Sequence, residues 1–201
     1  MSEDREQKNA IFAGTPTSQQ TTPTRVSALD KAKSDFGLEI PVELCPIPSQ
    51  GKTYPKDSKL HGAETVEIKA MTTKEEDILT SRALIKKGTV VTELIKSCLI
   101  DKTIDPLDLL SGDRNALLVS IRITGYGAEY EVEMECPECE AKTPREFNLA
   151  DLPIKPLEID PVLPGTNLFE YKLPKCGKVV RFKFMTGRVE EESATIADKK
   201  K

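Results

Sequence analysis

The sequence has no tryptophan and a single histidine, His61. Aromatic side chains are scarce altogether, six Phe and four Tyr in 201 residues, which speaks against a large aromatic-lined ligand pocket. One histidine leaves little room for nucleophilic catalysis, because a Ser-His-Asp arrangement would have to use it. His61 lies in the polar stretch Lys59-Leu60-His61-Gly62 and reads as an exposed loop residue. No run approaches the roughly 18 consecutive apolar residues of a membrane span; the longest apolar stretches are short ones such as Ala116-Leu117-Leu118-Val119. The opening Met1-Ser2-Glu3-Asp4-Arg5 is acidic with no apolar stretch behind it, so a secretory signal is not expected. A basic excess is also missing. The 29 Lys and Arg against 33 Asp and Glu give a formal charge of −4, unlike a nucleic-acid-binding domain. The five cysteines are odd in number, which argues against a disulfide framework. The expectation is a soluble, intracellular chain without enzymatic activity.

What is present divides into five segments. Residues 1–37 read as a disordered arm: Gly14 to Thr24 is dominated by Ser, Thr, Gln and Pro, a composition too polar to offset its ordering entropy. The arm either stays flexible or orders on a partner, with Val26, Leu29 and Phe36 as anchors. Residues 38–70 form an extended or β entry segment. Pro41, Pro46 and Pro48 keep Ile40–Gly51 out of helix, and Thr65–Lys69 alternates as a short strand.

Residues 71–125 carry helical signals, and four helices are predicted. Thr72 and Thr73 each have a Glu three residues on, so either register makes a capping box; Gly88 after Lys86-Lys87 ends that first helix. Val91, Leu94, Ile95, Cys98 and Leu99 make an apolar stripe for a second. Asp105-Pro106 predicts a short third helix through Leu110. Ser111-Gly112-Asp113 then breaks the chain, and Asp113 caps a fourth helix carrying Leu117, Leu118 and Ile121. Residues 126–187 switch to a period of two. Tyr130, Val132 and Met134 define a buried strand face, and Glu129, Glu131, Glu133 and Glu135 the opposite one. A return strand passes through Phe147, a proline-rich connector follows, and a second hairpin runs from Leu168 to Phe184. Residues 188–201 form a polar tail that begins as a helix. No internal repeat is evident. The fold class is therefore α+β: a central helical layer followed by β-hairpins, with a flexible N-terminal arm.

Four constellations bear on chemistry. Cys136 and Cys139, in Cys136-Pro137-Glu138-Cys139, have the spacing of a zinc knuckle. Cys176, in the turn Pro174-Lys175-Cys176-Gly177, is the next candidate ligand and Cys45 the one after. Cys98 lies on the apolar stripe and behaves as a small hydrophobe. A structural zinc is thus a possible cofactor, and free thiols are the alternative. Asp113, Arg114 and Asn115 form an interhelical turn, or a fixed polar cluster that locks two helices or a neighbour through charge-assisted bonds. The Glu129, Glu131, Glu133 and Glu135 ladder is a solvated face or a surface for a basic partner. Glu75, Glu76 and Asp77 suit the dipole of a helix N-terminus.

The run Ala70-Met71-Thr72-Thr73-Lys74-Glu75-Glu76-Asp77-Ile78-Leu79, the block Leu110-Ser111-Gly112-Asp113-Arg114-Asn115-Ala116-Leu117-Leu118, and Ile123-Thr124-Gly125-Tyr126-Gly127 occur in this order before the Cys136–Cys139 knuckle. Together, over about residues 44–190, they resemble the T4-like bacteriophage baseplate protein family. The resemblance implies a structural, non-enzymatic role in a contractile tail baseplate at its central hub. It also implies other phage baseplate and hub proteins as partners, assembly in the host cytoplasm and a final place in the virion. No nucleic acid, membrane or small molecule is expected as a ligand. The chain departs from the family pattern at Glu140, where zinc knuckles often have Gly, and ends at Lys201, where some relatives continue with another cysteine pair. Two other roles compete with the hub subunit: a hub or tail assembly chaperone absent from the mature virion, and a zinc-ribbon adaptor module.

Overall fold

The computed structural model describes residues 32–33 and 39–198. The arm expected over residues 1–37 therefore lies outside the described residues, apart from Ala32 and Lys33. Those two form β1 (Ala32–Lys33), paired antiparallel with β2 (Glu39–Ile40).

The prolines that exclude helix leave Val42–Pro46 extended, and this segment becomes β3. It pairs antiparallel with β4 (Thr65–Lys69), in the register Val42 with Lys69 and Cys45 with Val66. Alternation along the pair turns Cys45, Val66 and Ile68 into the core. The loop between the strands is held by its own turns. Gly51 sits at φ 68°, and a Cβ there would stand 2.3 Å from the Leu60 carbonyl oxygen, so only glycine fits.

The helical region follows the capping signals but divides differently from the sequence prediction. Thr72, not Thr73, is the N-cap of α1 (Thr73–Thr80), in a capping box with Glu75. The expected single helix to Gly88 is two: α1 stops, Ser81 leaves helical conformation at ψ 106°, and α2 (Arg82–Lys87) begins. The Thr80 hydroxyl bonds back to the Glu76 and Asp77 carbonyls, the local competition that loosens a helix end. Gly88 closes α2 in the left-handed region at φ 72°. The apolar stripe then forms α3 (Val90–Cys98), with Leu94, Ile95 and Cys98 buried and Val91 left at the surface.

The short third helix predicted at Asp105-Pro106 is absent. Asp105 instead caps a single turn, accepting from the Leu107 N–H at 3.0 Å, a local bond that substitutes for helix. The predicted break at Ser111-Gly112-Asp113 is the first turn of α4 (Ser111–Tyr126). Asp113 is therefore inside that helix rather than its cap. Ile47, Tyr54, Leu60, Leu99, Leu109, Leu110, Leu117 and Ile121 complete one core with the β3–β4 and α3 residues.

Beyond α4 the molecule becomes strand and connector. β5 (Glu129–Glu135) pairs antiparallel with β6 (Lys142–Asn148). A single 3-10 turn follows at Leu149–Asp151, then the extended proline-rich connector. β7 (Phe169–Lys172) pairs with β8 (Val179–Phe182). Phe169, Phe182 and Phe184 pack ring on ring at its base, with centroids 4.9–5.8 Å apart. The expected C-terminal helix is α5 (Gly187–Asp198). The architecture is mixed α+β, and every sheet among the described residues has two antiparallel strands. No helix of the described residues is long and apolar enough to cross a membrane.

Candidate functional site

Two regions hold the predicted site residues, one buried and one exposed. The buried one is built on the first turn of α4. The Asp113 carboxylate accepts from the Ser49 N–H at 2.9 Å and from the Tyr54 hydroxyl at 2.5 Å. The Tyr54 oxygen in turn accepts from the Leu110 N–H at 3.1 Å. Burial, reinforced by the Asp113 charge, pushes the Tyr54 phenol far above its usual range, so Tyr54 acts as a fixed donor. Arg114 donates to the Pro106 carbonyl at 2.9 Å and to the Thr92 hydroxyl at 3.1 Å, and pairs with Glu190 at 3.3 Å. Thr92 passes the chain on by donating to Glu191. Asp113 and Arg114 are buried, whereas Asn115 faces outward. The cluster thus joins the β3–β4 loop, α3, α4 and α5 from inside, and its two charged members present nothing to a partner. Gly187 lies against it: a Cβ there would meet the Arg114 guanidinium and the Pro106 carbonyl.

The exposed region is the β5–β6 hairpin. Glu129, Glu131, Glu133 and Glu135 all face solvent. Register puts Glu131 directly opposite Glu146, a like-charge pair that disfavours the hairpin. The other face corrects the sequence prediction. Tyr130, Val132 and Met134 were expected to be buried, yet Tyr130 is 42% and Met134 52% exposed, and the cross-strand Phe147 is 45% exposed. Alternation does form a single apolar face, but no second layer of the described core covers it. Arg122 links the hairpin to α4 by lying over the rings of Tyr126 and Tyr130, at 4.8 and 5.9 Å.

The cysteines separate by environment. Cys45 is buried beside the Ser120 hydroxyl at 3.0 Å. Burial raises its thiol, and it lies in the core cluster rather than on a hairpin tip. Cys98 is buried too, and burial together with the Glu75 charge pushes it up to about 11. Cys136 and Cys139 occupy the β5–β6 turn, and Cys176 the β7–β8 turn. Backbone N–H groups of Glu138 and Cys139 facing the Cys136 sulfur hold that thiol below its ordinary value. Among the described residues no three His, Cys, Asp or Glu side chains are placed to hold a metal ion together. His61 is exposed, with Nδ1 2.7 Å from the Tyr54 carbonyl oxygen.

A polar centre that sequence reasoning missed surrounds Glu75. Fully buried, its carboxylate accepts from Lys69 at 2.6 Å, Ser97 at 2.5 Å and the Thr72 N–H at 3.0 Å. The capping-box spacing was the only sequence signal for it. That spacing points to a helix N-terminus and its dipole, and says nothing of burial.

Among known proteins, the family described as T4 bacteriophage base plate protein matches residues 41–167. That span runs from β3 through the acidic hairpin and the connector. Comparison with curated proteins and with solved structures gave no match.

Proposed function

The chain belongs to the T4 bacteriophage base plate protein family, and from that premise we propose that it is a subunit of the baseplate's central hub that acts by docking rather than by catalysis. Membership makes it a structural component of the phage tail, with other baseplate proteins as its partners. The observation that supports docking is the β5–β6 hairpin. One of its faces is acidic and the other apolar, and both are exposed on a ribbon outside the core. A two-stranded ribbon is marginal on its own, and its Glu131–Glu146 opposition makes it weaker still. A basic, partly apolar partner would remove both defects at once, with charge setting encounter and register. The buried Asp113 and Arg114 cluster serves this reading from behind, by fixing α4, from which the hairpin springs. Assembly would take place in the host cytoplasm before incorporation into the virion.

Quantitative mass spectrometry of purified virions tests the assignment. A fixed small copy number relative to known tail proteins is expected of a hub subunit. Presence on tail intermediates but absence from virions would replace it with an assembly factor. Docking is tested separately by changing Glu129, Glu131, Glu133 and Glu135 to Gln together. The folded protein should persist while its incorporation falls; unchanged incorporation would remove the hairpin from the interface.

A further inference from the structure

The tips of the two hairpins are the same structure. At the β5–β6 tip, the Cys136 N–H donates to the Ala141 carbonyl at 3.0 Å, and the Glu140 N–H to the Cys136 carbonyl at 2.9 Å. At the β7–β8 tip, the Leu173 N–H donates to the Lys178 carbonyl at 2.8 Å, and the Gly177 N–H to the Leu173 carbonyl at 2.9 Å. Glu140 and Gly177 occupy the equivalent left-handed position, at φ 57° and 67°. Residue by residue, Pro174 stands at the place of Pro137, Cys176 at the place of Cys139, and Leu173 at the place of Cys136. The chain therefore carries two knuckles with three of the four thiols that a knuckle pair presents to zinc.

We propose that Cys136, Cys139 and Cys176 are the ligands of one zinc ion, and that binding it draws the β5–β6 tip onto the β7–β8 tip. The knuckle suits this chemistry because Cys136 and Cys139 stand three positions apart on one tight turn, a spacing that lets two thiolates share one ion. The tips also have opposite charge. Glu135, Glu138 and Glu140 surround the first, and Lys172, Lys175 and Lys178 the second, so approach is attractive and the lysines offset the charge of three thiolates. Both hairpins leave apolar side chains exposed, Tyr130 and Met134 on one and Tyr171 and Val179 on the other, and these gain cover when the tips meet. The connector, residues 149–168, carries no further strand; it is tied to the β3–β4 loop by bonds from the Leu157 N–H to the Pro48 carbonyl and from the Gly165 N–H to the Lys52 carbonyl, so the tips meet by bending of the ribbons beyond those anchors. Leu173 supplies no fourth ligand, so water completes the tetrahedron. Three cysteines lose protons to the solvent as the metal binds.

Cobalt(II) and zinc titrations of the reduced full-length protein test this, because cobalt reports thiolate number through its charge-transfer absorbance. One metal per monomeric chain is expected. Cys136→Ser should abolish binding. Cys176→Ser should weaken it by at least about tenfold and remove roughly a third of the charge-transfer intensity. Leu173→Cys should do the reverse, adding a fourth thiolate and tightening binding by a similar factor. All three positions are exposed or lie on hairpin tips, so circular dichroism should be unaltered. The proposal is overturned if the wild type retains no metal. It is equally overturned if Cys176→Ser and Leu173→Cys both bind as the wild type does, or if one metal is held between two chains.

Discussion

At the scale of single residues, two buried oxygens decide more than their neighbours. Glu75 is a carboxylate at the third position of α1, where a charge normally faces water, yet it is wholly enclosed. Burial acts to raise its pKa, but hydrogen bonds from Lys69, Ser97 and Thr72 outweigh burial and hold it at about 2. An unfolded glutamate titrates near 4.3. The stabilisation is therefore complete above that value and is lost as pH falls through about 2, with the loss beginning near pH 4.5. Glu75→Gln should destabilise the protein by about 3 kcal/mol at pH 7, the usual cost of stranding one member of a buried pair. The gap from the wild type should narrow as pH drops from 4.5 toward 2. Urea unfolding across that range measures it, and a gap independent of pH would refute the account. Tyr54 is the second case. Its hydroxyl donates to Asp113 and accepts from the Leu110 N–H, so Tyr54→Phe should cost about 1–3 kcal/mol by leaving both groups short of a partner. The sequence marks Glu75 through its spacing from Thr72. It does not show that Lys69 on a strand and Ser97 on another helix converge on the same carboxylate, because those are tertiary contacts.

At the scale of elements, legibility depends on whether an element's partner is local. The capping box, the Gly88 stop, the α3 stripe and the β4 strand are legible, since each rests on bonds or periodicity within one segment, and only the choice of Thr72 over Thr73 comes from the structure. Asp105-Pro106 misleads because Asp followed by Pro starts a turn as readily as a helix, and here Leu109 and Leu110 are needed extended to meet Met185–Gly187. The β5 strand misleads differently. Its alternation states that one face is apolar, but not that anything lies across from it. Glu146 offers a direct measure of what that hairpin is tuned for. Opposing Glu131 across the ladder, it should disfavour the free hairpin, so Glu146→Lys should stabilise the isolated protein by roughly 0.2–1 kcal/mol. If the acidic face meets a basic partner, the same change should lower incorporation into baseplates. Thermal unfolding and incorporation assayed on one preparation would then move in opposite directions; movement together would show that the acidic face is merely solvated.

At the scale of the whole molecule, one core and one clasp account for the arrangement. The core side chains come from residues 45–121, and α5, far along the chain, returns to close over them. Its start is held by backbone bonds from the Gly187 and Arg188 N–H groups to the Leu109 and Leu107 carbonyls, and from the Ser111 N–H to the Met185 carbonyl. Arg114 adds the side-chain half through Glu190 and, by way of Thr92, Glu191. Nothing in the local pattern of residues 187–198 announces that destination, and the sequence announces only part of the repeated knuckle, through Pro174 and Cys176, because Leu173 stands where the first tip has Cys136. The Gly112-Asp113-Arg114 segment was legible as a polar lock but not as a buried one, since burial of an arginine depends on elements some 70 residues away closing over it. Removing that guanidinium strands the Pro106 carbonyl and Glu190 and opens a cavity beside Gly187. Arg114→Ala should therefore cost about 3 kcal/mol and free α5 before the core opens. Hydrogen exchange resolves the order. Amides of residues 187–198 should lose protection by at least about tenfold in Arg114→Ala, while those of β5 and β6, which take no part in the clasp's hydrogen bonds or ion pair, exchange as in the wild type. Full protection of α5 in that variant would mean that the backbone bonds to Leu107 and Leu109 hold it alone, and that Arg114 acts only on α4.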